Sequence, residues 1–342
     1  VNNAMTIAIG KQEIRDWALE HFQGVNNVVI PSFSADLTRL NERGIRHDVQ
    51  RVIELGFTGT LLVGEVNITL DEYIRFTEIA HDVAGDRLNL IFHAAFNTLE
   101  ENIVAARRAA AAGARLALLS YPPCFYPTSL QEIYNYTKAF CDATDLGVIL
   151  FPMTHWGFER LHSASLPVDM LADLVDAAPN VVAVKAEGGF PSVAGFAHAW
   201  HRLADKVLIT MPIIQEAIAL AALVPLRVIA TSNTEYYGDT APRMLALARE
   251  GKIDQAMNLL WQIAPAWRAN SNVAPLPHAH TVNRAAWKYQ AWLAGFNGGP
   301  MRVPATRLHS GEMSAFRRAL VDSSLWVTDD PDERYLVGRN PE

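Results

Sequence analysis

Asn180-Val181-Val182-Ala183-Val184-Lys185-Ala186-Glu187-Gly188-Gly189 is an apolar run that stops on a lysine and a glycine turn. Its four central residues carry no alternation, so the run reads as a strand covered on both faces. Segments of helical period flank it at 167–177 and 192–204. The same alternation extends outward in both directions. Strand runs fall at 27–31, 59–63, 88–93, 116–120, 147–151, 181–185, 207–211 and 228–231, and helical segments at 45–55, 70–83, 99–112, 129–143, 167–177, 192–204, 214–223 and 242–250. Repeated β-then-α order implies right-handed parallel crossovers. Eight such units in roughly 220 residues fit a closed TIM (β/α)8 barrel of the α/β class better than an open sheet.

Beyond the eighth unit the pattern turns helical. Segments 253–269, 279–294 and 310–321 read as helices with no strand between them, a C-terminal helical extension packed on the barrel. The division this predicts is a segment 1–24 with a helix at 11–21, a barrel at 25–250, C-terminal helices at 251–325 and a surface tail at 326–342. The chain has 342 residues, 50% hydrophobic and 19% charged, as a soluble domain with a large core should. Its formal charge of -7 and lack of a basic patch argue against nucleic-acid or anionic-membrane partners. No apolar run reaches the roughly 18 residues of a membrane span. Cys124 and Cys141 form neither a disulfide framework nor a zinc spacing, which suits a reducing, cytoplasmic setting. No metal is expected, since no His-Glu-x-x-His or similar set is present. Nor is a cofactor, since glycine-rich nucleotide loops are missing. Residues 1–4 read as a cloning remnant before a native start at Met5.

Barrels of this kind carry their chemistry at the C-terminal ends of the strands. Lys185 is the clearest polar residue there. An ammonium is costly to bury unless it is paired or neutral, and desolvation favours the free amine that can attack a carbonyl. The alternative is a lysine that snorkels to water or pairs with Glu187.

With Lys185 in place, the chain resembles the dihydrodipicolinate synthase / N-acetylneuraminate lyase family over roughly residues 24–320. The 180–189 segment is similar to that family's Schiff-base lysine strand. Asn27-Val-Val-Ile-Pro31-Ser-Phe33 resembles its first strand, and Gly56-Phe-Thr-Gly-Thr60 with Thr69-Leu-Asp-Glu72 its second unit. Leu118-Leu-Ser-Tyr121-Pro-Pro resembles its strand-four turn, and Leu276-Pro-His278 and Met301-Arg-Val-Pro304 its C-terminal joints. The resemblance implies a barrel enzyme that forms a Schiff base through Lys185, and a homo-oligomer, dimer or tetramer.

Two family features are replaced. Where a Thr-Thr loop would hold a pyruvate carboxylate, this chain reads Leu62-Val63-Gly64-Glu65-Val66-Asn67. Where strand five would end in a proton-relaying Tyr, Gly147-Val-Ile-Leu-Phe151 ends in a ring that can neither give nor take a proton. Standard dihydrodipicolinate synthase or sialate lyase chemistry is therefore not expected, and Glu65 would repel a nearby substrate carboxylate. Candidate proton carriers are Tyr121, Glu65 and His155, with His93 a further one. Candidate substrate contacts are Gly64, Asn67, Phe151, Tyr126, Asn233 and Gly188. Phe125, Phe151 and Trp156 suggest an apolar, aromatic mouth. The function expected is a metal-free class I lyase or aldolase acting on a small carbonyl compound. A hydratase or dehydratase of the same family and a non-catalytic ligand-binding member are the rival readings.

Overall fold

The structure, a computed structural model, describes residues 9–153, 156–186, 192–273, 275–276 and 281–342. Eight parallel strands form a nearly closed barrel: β1 Gly24–Val29, β2 Gly59–Leu62, β3 Asn89–Ala94, β4 Leu116–Leu119, β5 Gly147–Leu150, β6 Val181–Lys185, β7 Leu208–Thr210 and β8 Val228–Ile229. Neighbours pair in the order β7-β6-β5-β4-β3-β2-β1-β8. Almost every strand residue is buried, because side chains alternate between a filled interior and an encircling helical layer. At the start of β2 Gly59 is required for packing, since a Cβ there would lie 1.9 Å from the Asn26 side chain.

The first and last strands of this order, β7 and β8, share no ladder. Thr210 joins them with its side chain. Its Oγ1 donates to the Val228 carbonyl at 2.9 Å and accepts from the Ala230 amide at 2.9 Å. One hydroxyl thus supplies the donor and acceptor that a ladder would have provided, and the barrel shuts without an orphaned backbone group at this point.

An N-terminal helix, α1 (Ile14–His21), precedes the barrel, and the first four helices between strands begin on side-chain caps. Asn41 caps α2 (Glu42–Glu54), Thr69 caps α3 (Leu70–Ala84), Thr98 caps α4 (Leu99–Ala111) and Ser129 caps α5 (Leu130–Ala143). At Thr69 the cap is reciprocal, because Glu72 accepts from the Thr69 amide.

The C-terminal region departs from the sequence expectation in two places. The single helix expected at 253–269 is two, Ile253–Gln262 and Ala264–Val273, with Ile263 between them. Pro265, which lacks an N–H, stands just past that junction. No strand was expected after it, yet Pro275–Leu276 and Thr281–Val282 pair antiparallel. The following helix, Arg284–Leu293, then starts on an Asn283 cap. The final stretch is tied down at several points: Tyr335 is buried, Asn340 donates its amide to Asn297 at 2.8 Å, and Arg339 reaches the Phe296 carbonyl at 3.0 Å.

Candidate active site

A cavity of about 310 Å3 opens at the C-terminal ends of the strands. Lys185 closes β6 inside it and is only 5% exposed. Its Nζ lies 3.7 Å from the centroid of the Phe151 ring, an ammonium–π distance. The register explains the encounter. Leu150 pairs with Val184, and Leu118 pairs with Ile149. Carried two steps past the Leu118 pair and one step past the Leu150 pair, that register sets Ser120, Phe151 and Lys185 level across three neighbouring strands, and all three line the cavity. A second lysine, Lys288, is also buried, but its amine donates to the Pro31 carbonyl at 2.8 Å and it does not line this cavity. Burial pushes its pKa down to about 8, against the pull of Asp48.

The opposite strand ends carry a polar chain. The Gly64 amide donates to Nδ1 of His93 at 3.2 Å, and Nε2 of His93 lies 3.0 Å from Ser120 Oγ. A backbone N–H can only donate, so Nδ1 holds a lone pair and the ring proton sits on Nε2. The imidazole then donates to Ser120. Burial holds the His93 pKa down at about 4, with Glu65 opposing, so the ring is neutral at pH 7. This arrangement is not a serine-nucleophile triad, which needs a carboxylate on Nδ1 and a basic Nε2 facing the serine.

Glu65 stands 3.9 Å from Nε2 of His93 and accepts from Nη2 of Arg284 at 2.5 Å. Partial burial pushes its pKa up, but Arg284, then His93 and Lys185, outweigh that and leave it at about 2. Glu65 is therefore an ion paired with Arg284; of the proton-carrier roles expected for it, the ionised carboxylate can accept a proton but has none to give at neutral pH. The repulsion expected toward a substrate anion is likewise offset by the guanidinium.

Several other candidates lie elsewhere. Tyr121 is buried but does not line the cavity. Thr137 spends its proton on the Ile133 carbonyl, so the Tyr121 hydroxyl donates to Thr137 at 2.6 Å, toward α5. Its ring packs among Phe125, Tyr136, Trp156 and Phe158. Tyr126 is 73% exposed and lies under Arg160. Asn67, at positive φ, is exposed and outside the cavity, its carbonyl taken by Arg302. Gly64 contributes its amide to His93 rather than a cavity surface. Phe151 and Asn233 do line the cavity, and Asn233 is held by Gln290 at 3.3 Å. His155 and Gly188 lie outside the described residues.

Residues that the sequence reading passed over complete the wall. Ser120 directly follows β4, a polar stop to an apolar run as Lys185 is to β6, and the same rule would have found it. Tyr236 and Tyr237, whose hydroxyls bond to each other, enter after β8. Arg284, Trp267 and Trp287 reach in from the C-terminal helices. Among the described residues, no group of three His, Cys, Asp or Glu is placed to share a metal ion, and no helix is long and apolar enough to cross a membrane.

The Dihydrodipicolinate synthetase family matches residues 21–321. A 4-hydroxy-tetrahydrodipicolinate synthase of Methanothrix thermoacetophila is 24% identical over 322 residues, covering 89% of this chain and 97% of its own. An uncharacterized DapA-like lyase of Pyrobaculum arsenaticum is 24% identical over 309 residues, covering 89% and 99%. Among solved structures, dihydrodipicolinate synthase from Aquifex aeolicus superposes with TM-score 0.77 at 18% identity over 90% of this chain and 100% of its own. N-acetylneuraminate lyase from Fusobacterium nucleatum gives 0.73 at 17% identity over 90% and 99%. At such identities the superpositions speak for the fold, and the family match over residues 21–321 speaks for descent and for the general lyase class. This chain belongs to the Dihydrodipicolinate synthetase family.

Proposed function

We propose that this chain is a class I lyase in which Lys185 forms a Schiff base with a carbonyl substrate. One observation carries the reading: the Lys185 amine ends β6 within the cavity, over the Phe151 ring. The amine adds to the carbonyl carbon, water leaves, and the resulting iminium withdraws electrons from the neighbouring bond. A C–C bond can then break or form, or a β-hydroxyl can leave. The substrate is an apolar or aromatic carbonyl compound. Support for that comes from the rings of Phe151, Trp156, Trp267, Trp287, Tyr236 and Tyr237 around the cavity. Leu62 and Val63, both fully buried, stand where the resemblance would place a pyruvate-binding Thr pair. They offer no side-chain hydroxyl to a carboxylate.

The test is borohydride trapping with a panel of aromatic and aliphatic aldehydes and 2-oxo acids, followed by peptide mass spectrometry. The expected result is a reduced adduct on Lys185 with at least one aromatic carbonyl compound, and its loss, with turnover, in Lys185→Arg. Turnover that survives Lys185→Arg, or an adduct only on Lys288, rules the reading out.

A further inference from the structure

We propose that Ser120 is the hydrogen-bond donor to the oxygen of the carbonyl that Lys185 attacks, with His93 the positioning residue that turns the Ser120 proton into the cavity. This rests on the Schiff-base reading above and assigns the oxygen-binding group it requires.

The direction of each bond follows from chemistry. Gly64 N–H faces Nδ1, so His93 carries its proton on Nε2 and gives that bond to Ser120 Oγ at 3.0 Å. Among the described residues, Ser120 Oγ has no other hydrogen-bond partner. Its own O–H is then uncommitted on a residue that lines the cavity. Were His93 the other tautomer, Ser120 would donate to the ring and nothing would point at a ligand; the backbone amide of Gly64 excludes that state.

Position agrees with direction. Ser120 and Lys185 stand level on β4 and β6, so their Cα atoms are about 10 Å apart at the usual strand spacing. The Lys185 amine does not stand straight up from its strand but lies over Phe151, the residue between them. A carbonyl carbon bonded to that amine can turn its oxygen toward Ser120, across the Phe151 ring. Phe151 can give it no hydrogen bond, and Ser120 brings an uncommitted O–H from the strand beyond it.

The Nζ lone pair forms the N–C bond while the carbonyl π pair moves onto oxygen. That oxygen, held by Ser120 O–H, takes a proton from the nitrogen and becomes the carbinolamine hydroxyl. A proton from solvent completes water as the C–O bond breaks, and the nitrogen lone pair closes the C=N bond. Ser120 ends the step with its own proton. It is an oxyanion donor of the kind whose removal costs about 100-fold or more in rate.

The experiment is rapid-quench borohydride trapping on the full chain with the best carbonyl compound from the panel above. Ser120→Ala should slow Lys185 adduct formation and kcat about 100-fold with little change in KM. His93→Phe, which removes the donor to Ser120, should give a comparable loss. His93→Gln, whose amide can still donate to Ser120, should recover most of it, as a purely structural role for the imidazole would not. Adduct formation in Ser120→Ala within twofold of the unaltered protein overturns the assignment while leaving Lys185 as nucleophile. No adduct in the unaltered protein overturns both.

Discussion

Thr210→Val removes the one hydroxyl that joins β7 to β8 and keeps the side-chain shape. The substitution leaves the Ala230 amide and the Val228 carbonyl without partners, and both residues are 1% exposed or less. Each buried backbone group left unpaired costs about 1–3 kcal/mol, so the pair costs about 2–6 kcal/mol. Unfolding entropy near 2.1 cal/mol/K per residue gives about 0.7 kcal/mol/K for a chain of this length. The expected fall in Tm is therefore about 3–8 °C by scanning calorimetry. Thr210→Ser is the control, since it loses one methyl group and about 1 kcal/mol but keeps the hydroxyl. Because Thr231 and Asn233 of the cavity wall follow directly on this seam, Thr210→Val should also loosen ligand binding. A drop in Tm below about 1 °C for Thr210→Val, or an equal drop for the serine variant, refutes the idea that one hydroxyl closes the barrel.

Two further outcomes follow from the titrating groups. Arg284→Met should raise the Glu65 pKa from about 2 toward and beyond the usual carboxylate range, read by carboxyl NMR; the unaltered Glu65–Arg284 pair should stabilise the fold above pH 4.5 and lose that contribution as pH falls toward 2, so an unmoved Glu65 titration would contradict the ion pair. Burial raises the Glu235 pKa to about 8, so the folded chain keeps a proton there that the unfolded chain releases near 4.5, and stability falls as pH rises from 4.5 to 8; Glu235→Gln should flatten that decline in denaturant titrations, and an unchanged slope would show that Glu235 does not titrate as a buried acid.

The fold was legible because barrel strands leave strong single-sequence signals. The sixth strand spans Val181–Lys185 as read, since Val-Val-Ala-Val admits no competing period. Element ends were less legible. The second helix begins at Glu42 rather than residue 45, because the Asn41 side chain accepts from the Gly44 amide and starts the helix ahead of its apolar period. The eighth strand shrinks from 228–231 to Val228–Ile229, the two residues that pair with Gly24 and Val25 of β1, while the next amide, that of Ala230, goes to the Thr210 hydroxyl. The hairpin at Pro275–Leu276 and Thr281–Val282 is too short for any period to show. At the site, Lys185 was visible as a polar stop to an apolar run. The direction of Tyr121 was not: being next to a strand end does not say on which side of the barrel wall a phenol falls, and Thr137 on α5 captured it.

The Glu65–Arg284 pair was invisible for a different reason, and that reason bears on how the site is built. Its partners are 219 positions apart, one at the end of β2 and one at the start of the helix after the hairpin. The groups proposed for the chemistry stand on the barrel itself, Lys185 as the last residue of β6 and Ser120 directly after β4, so strand register governs their spacing. Much of the facing wall, including Arg284, Trp287, Trp267 and Asn270, comes from C-terminal helices that no strand register constrains. Catalytic spacing and substrate shape are thus carried by separate parts of the chain. The helices can vary in sequence, and with them the size and charge of the wall, without moving the amine against Phe151. A carboxylate at position 65, unfavourable on its own beside a substrate anion, is tolerable here because the helical wall brings the cation that neutralises it.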